Sequence, residues 1–329
     1  MPETKTSRPR SSICLIRWWF GEFSPYMDCV LRSCAANPDI DWLLLTDNPS
    51  RKNFPPNVRT YLTNRQELHK RFSAKLDFEV NLSRNSLMAN FKPAFGFLFD
   101  DLLVNYDFWG HCDFDVIFGD LRKFLREDIL AAHDRILSRG HLTLYRNTPK
   151  VNEYFKLQAP NCRGYRETFS DSIERNFDEW RGMHLLLRYH NIPQFHDEFI
   201  VDVVPPTRWK FTRFEGVAIK NYPEQVFYWH QGKVFHAHYN LGDRGIMDDE
   251  YAYIHFQGRP MPAPEFDPFA VNGFLITPDG FFPYNREPLT DADFARYNRE
   301  RWRPRKQILH RLRLALGKRL GLVPWERID

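Results

Sequence analysis

Tyr106-Asp107-Phe108-Trp109-Gly110-His111-Cys112-Asp113-Phe114-Asp115-Val116-Ile117-Phe118-Gly119-Asp120 joins an aromatic, apolar run to Asp-Phe-Asp, then to a second short apolar run closed by Gly-Asp. The first run reads as a buried strand with the acidic pair at its end. In an extended chain successive side chains point to opposite faces, which puts Asp113 and Asp115 on one face and Phe114 on the other. Two carboxylates converging at the end of a buried strand repel each other and lose hydration. A hard dication between them relieves both costs.

Upstream, residues 12–20 hold an apolar run (Ile13, Cys14, Leu15, Ile16, Trp18, Trp19, Phe20) that reads as a first buried strand. Phe20-Gly21-Glu22-Phe23 then turns into Ser24-Pro25, an N-cap followed by Pro at the first helical position. Met27, Val30, Leu31 and Cys34 follow at helical spacing, and Asn37-Pro38 stops the helix. Asp41-Trp42-Leu43-Leu44-Leu45-Thr46-Asp47 is a second buried strand. Strand–helix–strand implies a parallel sheet with ligand chemistry at the carboxyl ends of the strands, where Gly21 and Thr46-Asp47 lie. A hydroxyl and a carboxylate there suit a nucleobase or ribose; the competing reading of Thr46-Asp47-Asn48-Pro49 is a plain turn.

Further along, 58–61 reads as a short strand and 65–80 as an amphipathic helix carrying Leu68, Phe72, Leu76 and Val80. Lys92-Pro93 opens a helix whose apolar stripe is Phe95, Leu98, Phe99 and Leu102. A cation at a helix start opposes the macrodipole, so Lys92 reads either as facing an anionic partner or as a solvated side chain. Residues 121–132 read as helical, 140–147 as a strand, 183–189 as a helix, and 201–260 as several short strands ending in Tyr251-Ala252-Tyr253-Ile254-His255-Phe256-Gln257-Gly258-Arg259. No internal repeat is present. The expected organisation is a flexible polar tail (1–11), an α/β domain (12–260), and a Pro-rich connection leading to a basic amphipathic C-terminal extension (261–329).

With 329 residues, 43% hydrophobic and 27% charged, the chain is long and apolar enough to bury a large core. Aromatics reach 16%, which fits core packing and also a sugar-binding surface. The net charge of +4 does not argue for nucleic acid as a partner. Five cysteines without a C-x-x-C read as reduced thiols rather than a disulfide framework or zinc site. The N-terminus lacks an apolar h-region, and no apolar run reaches the roughly 18 residues that span a bilayer. A cytoplasmic location is therefore expected. In 296–319 Glu300 is the only acid, and Ile308, Leu309, Leu312, Leu316 and Leu320 fall near one helical face among Arg and Lys. That pattern suits either an anionic membrane surface at the inner face of the cell membrane or a helix packed on the domain.

Lys92-Pro93 through Phe108-Trp109-Gly110 and Asp113-Phe114-Asp115-Val116-Ile117-Phe118-Gly119-Asp120 together resemble a bacterial glycosyltransferase-like family linked to surface polysaccharide synthesis, of the GT-A type. Phe20-Gly21, Ser33-Cys34 with Asn37-Pro38, Leu44-Leu45-Thr46-Asp47, Gly140-His141 with Arg146-Asn147, and Ile254-His255-Phe256-Gln257 with Arg259 also fit, over roughly residues 12–260. The resemblance implies a GT-A-like (Rossmann-like), mostly parallel sheet flanked by helices. It implies Mn2+ or Mg2+ at Asp113 and Asp115, and a nucleotide-sugar donor seated against Phe20-Gly21 and Thr46-Asp47, with Lys92, Asp113 and Arg259 on the donor side. A late histidine often completes the metal and diphosphate site in such enzymes. His255 is the candidate, its alternative being a hydrogen-bonded core histidine.

In such a transfer the metal neutralises the leaving nucleoside diphosphate, and the acceptor is a glycan or lipid-linked glycan. An inverting enzyme needs a base for the acceptor hydroxyl. Asp178-Glu179, flanked by Phe177 and Trp180, is one candidate pair and Asp197-Glu198 the rival; the competing reading of each is solvated surface. Two other classes stay open. Nucleotidyl transfer or phosphohydrolysis would use the same carboxylates, although no Gly-rich phosphate loop is present. A non-catalytic glycan- or membrane-binding protein would account for the aromatics and the basic tail.

Overall fold

The computed structural model describes the chain except residues 1–9, 52, 180, 197–198, 204–210, 212, 214–220, 241, 286–287 and 299–329. The fold is mixed α/β. Strands β1 (Ile13–Trp19), β2 (Asp41–Thr46) and β3 (Val58–Leu62) alternate with helix α1 (Met27–Ala35) and are followed by α2 (Arg65–Leu76). Then come β4 (Phe108–Cys112), β5 (Val116–Phe118), β6 (Arg135–Arg139), β7 (Leu142–Arg146), β8 (Gln194–Phe195) and β9 (Ile200–Asp202). The last strands are β10 (Gln225–His230), β11 (Lys233–Tyr239), β12 (Ile246–Tyr251), β13 (Tyr253–His255), β14 (Gly273–Thr277) and β15 (Gly280–Pro283).

The large sheet runs β3-β2-β1-β4-β7-β6-β8 and is mostly parallel, with β7 as the antiparallel member between β4 and β6. Period-2 alternation separates its two faces cleanly. Ile13, Leu15, Trp42 and Leu44 enter one core, whereas Cys14, Ile16, Leu43 and Leu45 enter the other. The second core is covered by α2 through Leu68, Phe72 and Leu76, and by the helical turns of 85–102. The first is covered by α1 and by two smaller sheets, β5-β13-β9 and the antiparallel β12-β11-β10-β14-β15. Among the described residues no helix is long and apolar enough to cross a membrane.

Three expectations change. Helix α1 starts at Met27 instead of directly after Ser24: Ser24-Pro25 forms the preceding turn, Met27 N–H donates to the Ser24 carbonyl (3.0 Å), and Tyr26 is seated against the Phe256 and Phe281 rings. Lys92-Pro93 opens a short helical turn but not a continuous helix to Leu102. It forms a 3-10 turn (Lys92–Ala94) inside a broken series of short helices that begins at Asn85, because Pro93 has no N–H to continue an α ladder. The expected boundary at 260 falls inside a sheet: β14 pairs with β10 in antiparallel register (Phe227 with Ile276, His230 with Gly273), so 273–283 complete a sheet begun at Gln225. Of the basic stretch 296–319, residues 299–319 lie outside the described residues.

Candidate functional site

Strands β1, β2 and β4 are parallel neighbours, so their carboxyl ends share one edge of the large sheet. Asp113 follows β4 directly, and its backbone is fixed there: its carbonyl accepts from Arg17 Nη2 (2.9 Å) and its N–H donates to the His141 carbonyl (3.1 Å). Asp115 is not on the same strand. It precedes β5, which belongs to the three-stranded sheet, so the pair spans the step from one sheet to another and does not share one face of one strand. The convergence survives for a different reason. In β13 His255 lies opposite Val116 of β5 and Asp202 of β9, so Asp202, His255 and the residue before Val116 are lateral neighbours.

His255 is buried and sits between two carboxylates, with Nε2 3.3 Å from Asp115 Oδ2 and Nδ1 2.7 Å from Asp202 Oδ1. Burial alone would push its pKa down, but Asp115 and Asp202 outweigh burial and raise it to about 10. The metal-free ring is therefore an imidazolium linking two anions. The Gly258 N–H donates to the same Asp115 oxygen, from a backbone at φ +59 where glycine is at ease. Ligand atoms of Asp113, Asp115 and His255 all lie within 4.8 Å of one another. Two carboxylate oxygens and one imidazole nitrogen are a donor set that fits Mn2+ or Mg2+.

Lys92 is buried, not solvated, and its anionic partners are internal. Its Nζ is 2.9 Å from Asp113 Oδ1 and 3.5 Å from Asp178 Oδ2, and donates to the Gly140 carbonyl (2.9 Å). Asp178 and Glu179 line the same cavity, of about 270 Å3, with Asp113, His141, Asp202 and His255. Burial raises the Asp178 pKa against the pull of Lys92, and the Asp113 charge adds to the rise. Burial and then the Asp178 charge raise that of Glu179. Glu179 also accepts the Gly140 N–H (2.8 Å), and a Cβ at Gly140 would lie 2.6 Å from Glu179 Oε1, so a larger residue there would displace the Glu179 carboxylate. Trp180 and the rival pair Asp197-Glu198 lie outside the described residues.

At the expected nucleotide seat, Gly21 N–H donates to Asp47 Oδ1 (2.7 Å) and Asn48 Nδ2 to the Gly21 carbonyl (3.0 Å). Thr46 is buried and its Oγ1 accepts from Asn48 N–H (3.1 Å), which is the turn geometry that competed with a ligand contact. Phe20 is half-buried, while Gly21 and Asp47 stay exposed on the edge that carries Asp113; Trp19 packs on Phe114 there at 4.8 Å. Arg259 is not among the cavity-lining residues. It is buried against the Phe211 ring at 4.8 Å.

Two residues of the cluster, Asp202 and His141, escaped sequence reasoning. The signal for Asp202 was a lone carboxylate inside Ile200-Val201-Asp202-Val203. The signal for His141 was its place in the Gly140-His141 segment of the family resemblance, to which no role was attached. His141 is buried, stacked on His255 (4.4 Å, 22°) and bonded through Nδ1 to Tyr253 Oη (2.8 Å); burial and then the His255 charge hold its pKa well below the usual histidine range. A protein-family model described as "Family of unknown function (DUF6625)" matches residues 15–285. No curated protein matches the chain.

Proposed function

We propose that this chain, which belongs to the family of unknown function DUF6625, is a GT-A-type glycosyltransferase that uses a divalent metal and a nucleotide-sugar donor. The observation that carries the reading is the meeting of Asp113, Asp115 and His255 within 4.8 Å at the carboxyl edge of parallel strands, beside a cavity lined by carboxylates. Asp113, Asp115 and His255 would hold Mn2+ or Mg2+, which when bound supplies positive charge for a leaving diphosphate. The donor would lie along the edge formed by Phe20-Gly21 and Thr46-Asp47. Asp178 suits the role of base for the acceptor hydroxyl better than Glu179, because Glu179 is already engaged with the Gly140 N–H. Lys92 positions both Asp113 and Asp178 from one ammonium. A glycan or lipid-linked glycan acceptor in surface polysaccharide synthesis, and work at the cytoplasmic face of a membrane, belong to the same proposal and rest on the sequence resemblance and the basic stretch 296–319.

The test is calorimetric binding of a panel of nucleotide sugars to the full chain, with Mn2+ and with EDTA. At least one donor is expected to bind in Mn2+ only, and Asp113→Asn or Asp115→Asn should remove that binding. Equal affinity for every donor with and without metal would contradict the reading. The alternative, nucleotidyl transfer or phosphohydrolysis, would use the same carboxylates, beside a second possible ligand set (His141, Asp202 and His255) that shares His255 with the first. Release of pyrophosphate or inorganic phosphate in place of nucleoside diphosphate identifies that chemistry.

A further inference from the structure

His141, Asp202 and His255 bring one ligand atom each within 4.8 Å of one another, and all three line the cavity, which gives an ion a way in. Both rings are held. His141 and His255 stack at 4.4 Å and 22°, and one nitrogen of each ring faces Asp202. Tyr253 Oη bonds His141 Nδ1 (2.8 Å), leaving Nε2 turned toward Asp202 Oδ2 at 3.9 Å. That gap is too long for a hydrogen bond, and the two atoms are near enough for one ion to draw both to bonds of about 2.0–2.2 Å. Gln257 Nε2 donates to Asp202 Oδ1 (2.7 Å) and orients the carboxylate. Support of this kind behind each ligand is what orients first-shell groups on a metal.

We propose that this triad is a binding site for a transition-metal dication, distinct from the Asp113–Asp115 pair although it shares His255. Two imidazole nitrogens and one carboxylate oxygen favour Mn2+, Fe2+, Co2+ or Zn2+ over Mg2+ and Ca2+. The two ring nitrogens of His255 face different sets, Nε2 toward Asp115 and Nδ1 toward Asp202. The chain therefore offers one hard-oxygen position and one nitrogen-rich position on either side of a single histidine. This inference does not depend on glycosyl transfer.

The experiment is a Co2+ titration of the full, chelator-stripped chain, read by the visible d–d absorption of bound cobalt, with Mg2+ titrated by calorimetry for comparison. Co2+ is expected to bind more tightly than Mg2+. His141→Gln and Asp202→Asn should each weaken Co2+ at least about tenfold, and Tyr253→Phe by about 10–100-fold, since it removes only the group that orients His141. Unchanged cobalt spectra and affinity in His141→Gln, Asp202→Asn and Tyr253→Phe would overturn the proposal. If His141→Gln does not fold, Tyr253→Phe and Asp202→Asn decide it. Cobalt held by the triad in a chain that binds no nucleotide sugar leaves this inference standing and removes the glycosyltransferase reading.

Discussion

Lys92 keeps its ammonium in the interior, where Asp113 at 2.9 Å and Asp178 at 3.5 Å balance it. Replacing it with Met leaves two buried carboxylates without their cation, so Lys92→Met should lower stability by about 3–5 kcal/mol, measured by urea unfolding. A loss below the level of an ordinary surface substitution would mean that the pair is solvated. His255 makes a prediction in pH. Its folded-state pKa is raised to about 10 by Asp115 and Asp202 against burial, so the contribution of its charge to the metal-free chain is fully present below the unfolded value near 6.5 and disappears as pH rises through about 10. Urea unfolding in EDTA should show stability falling between neutral pH and pH about 10, and His255→Gln should flatten that slope. A parallel slope in the variant would assign the effect elsewhere.

At the scale of elements, the broken helical run 85–102 packs directly beneath β4. A Cβ on Gly96 would lie 2.2 Å from the Trp109 indole, which itself stacks on Tyr145 at 4.6 Å and donates to Asn152 (2.7 Å). Gly96→Ala should therefore destabilise by about 1–3 kcal/mol through overpacking, seen as a lower Tm; an unchanged Tm would show that the run can shift away from β4. The strand–helix–strand opening was legible because its cues are local: apolar runs, helical spacing and stop signals sit within a few residues of each other. The acidic pair was legible in identity but not in geometry. Phe114 does not alternate within one strand; it turns the chain from the large sheet into the small one and packs under Trp19 and Arg17. Asp202 and His141 reach the site only through the pairing of β9 with β13 and the return of β7 beside β4. Such long-range register leaves no mark within a short window of sequence.

Across the whole molecule, two sheets and the helical layer meet where β4 hands over to β5. The large parallel sheet brings the edge with Phe20-Gly21 and Thr46-Asp47, the small sheet brings Asp115, Asp202 and His255, and the helical layer brings Lys92. The segment 176–179 closes one wall with Asp178 and Glu179. The family match over 15–285 spans every strand except part of β1, including β14 and β15, which the expected boundary at 260 had set apart. The reaction proposed for this site is metal-dependent transfer from a nucleotide sugar. It is tested most directly by nucleoside diphosphate release from a panel of nucleotide sugars, comparing Mn2+ with EDTA and the native chain with Asp113→Asn and Asp115→Asn. Release is expected from at least one donor, stopped by EDTA and lowered more than about 100-fold by either substitution, beyond the range of outer-shell changes. Release that is indifferent to EDTA and to both substitutions, or no release from any donor with any divalent metal, would contradict it.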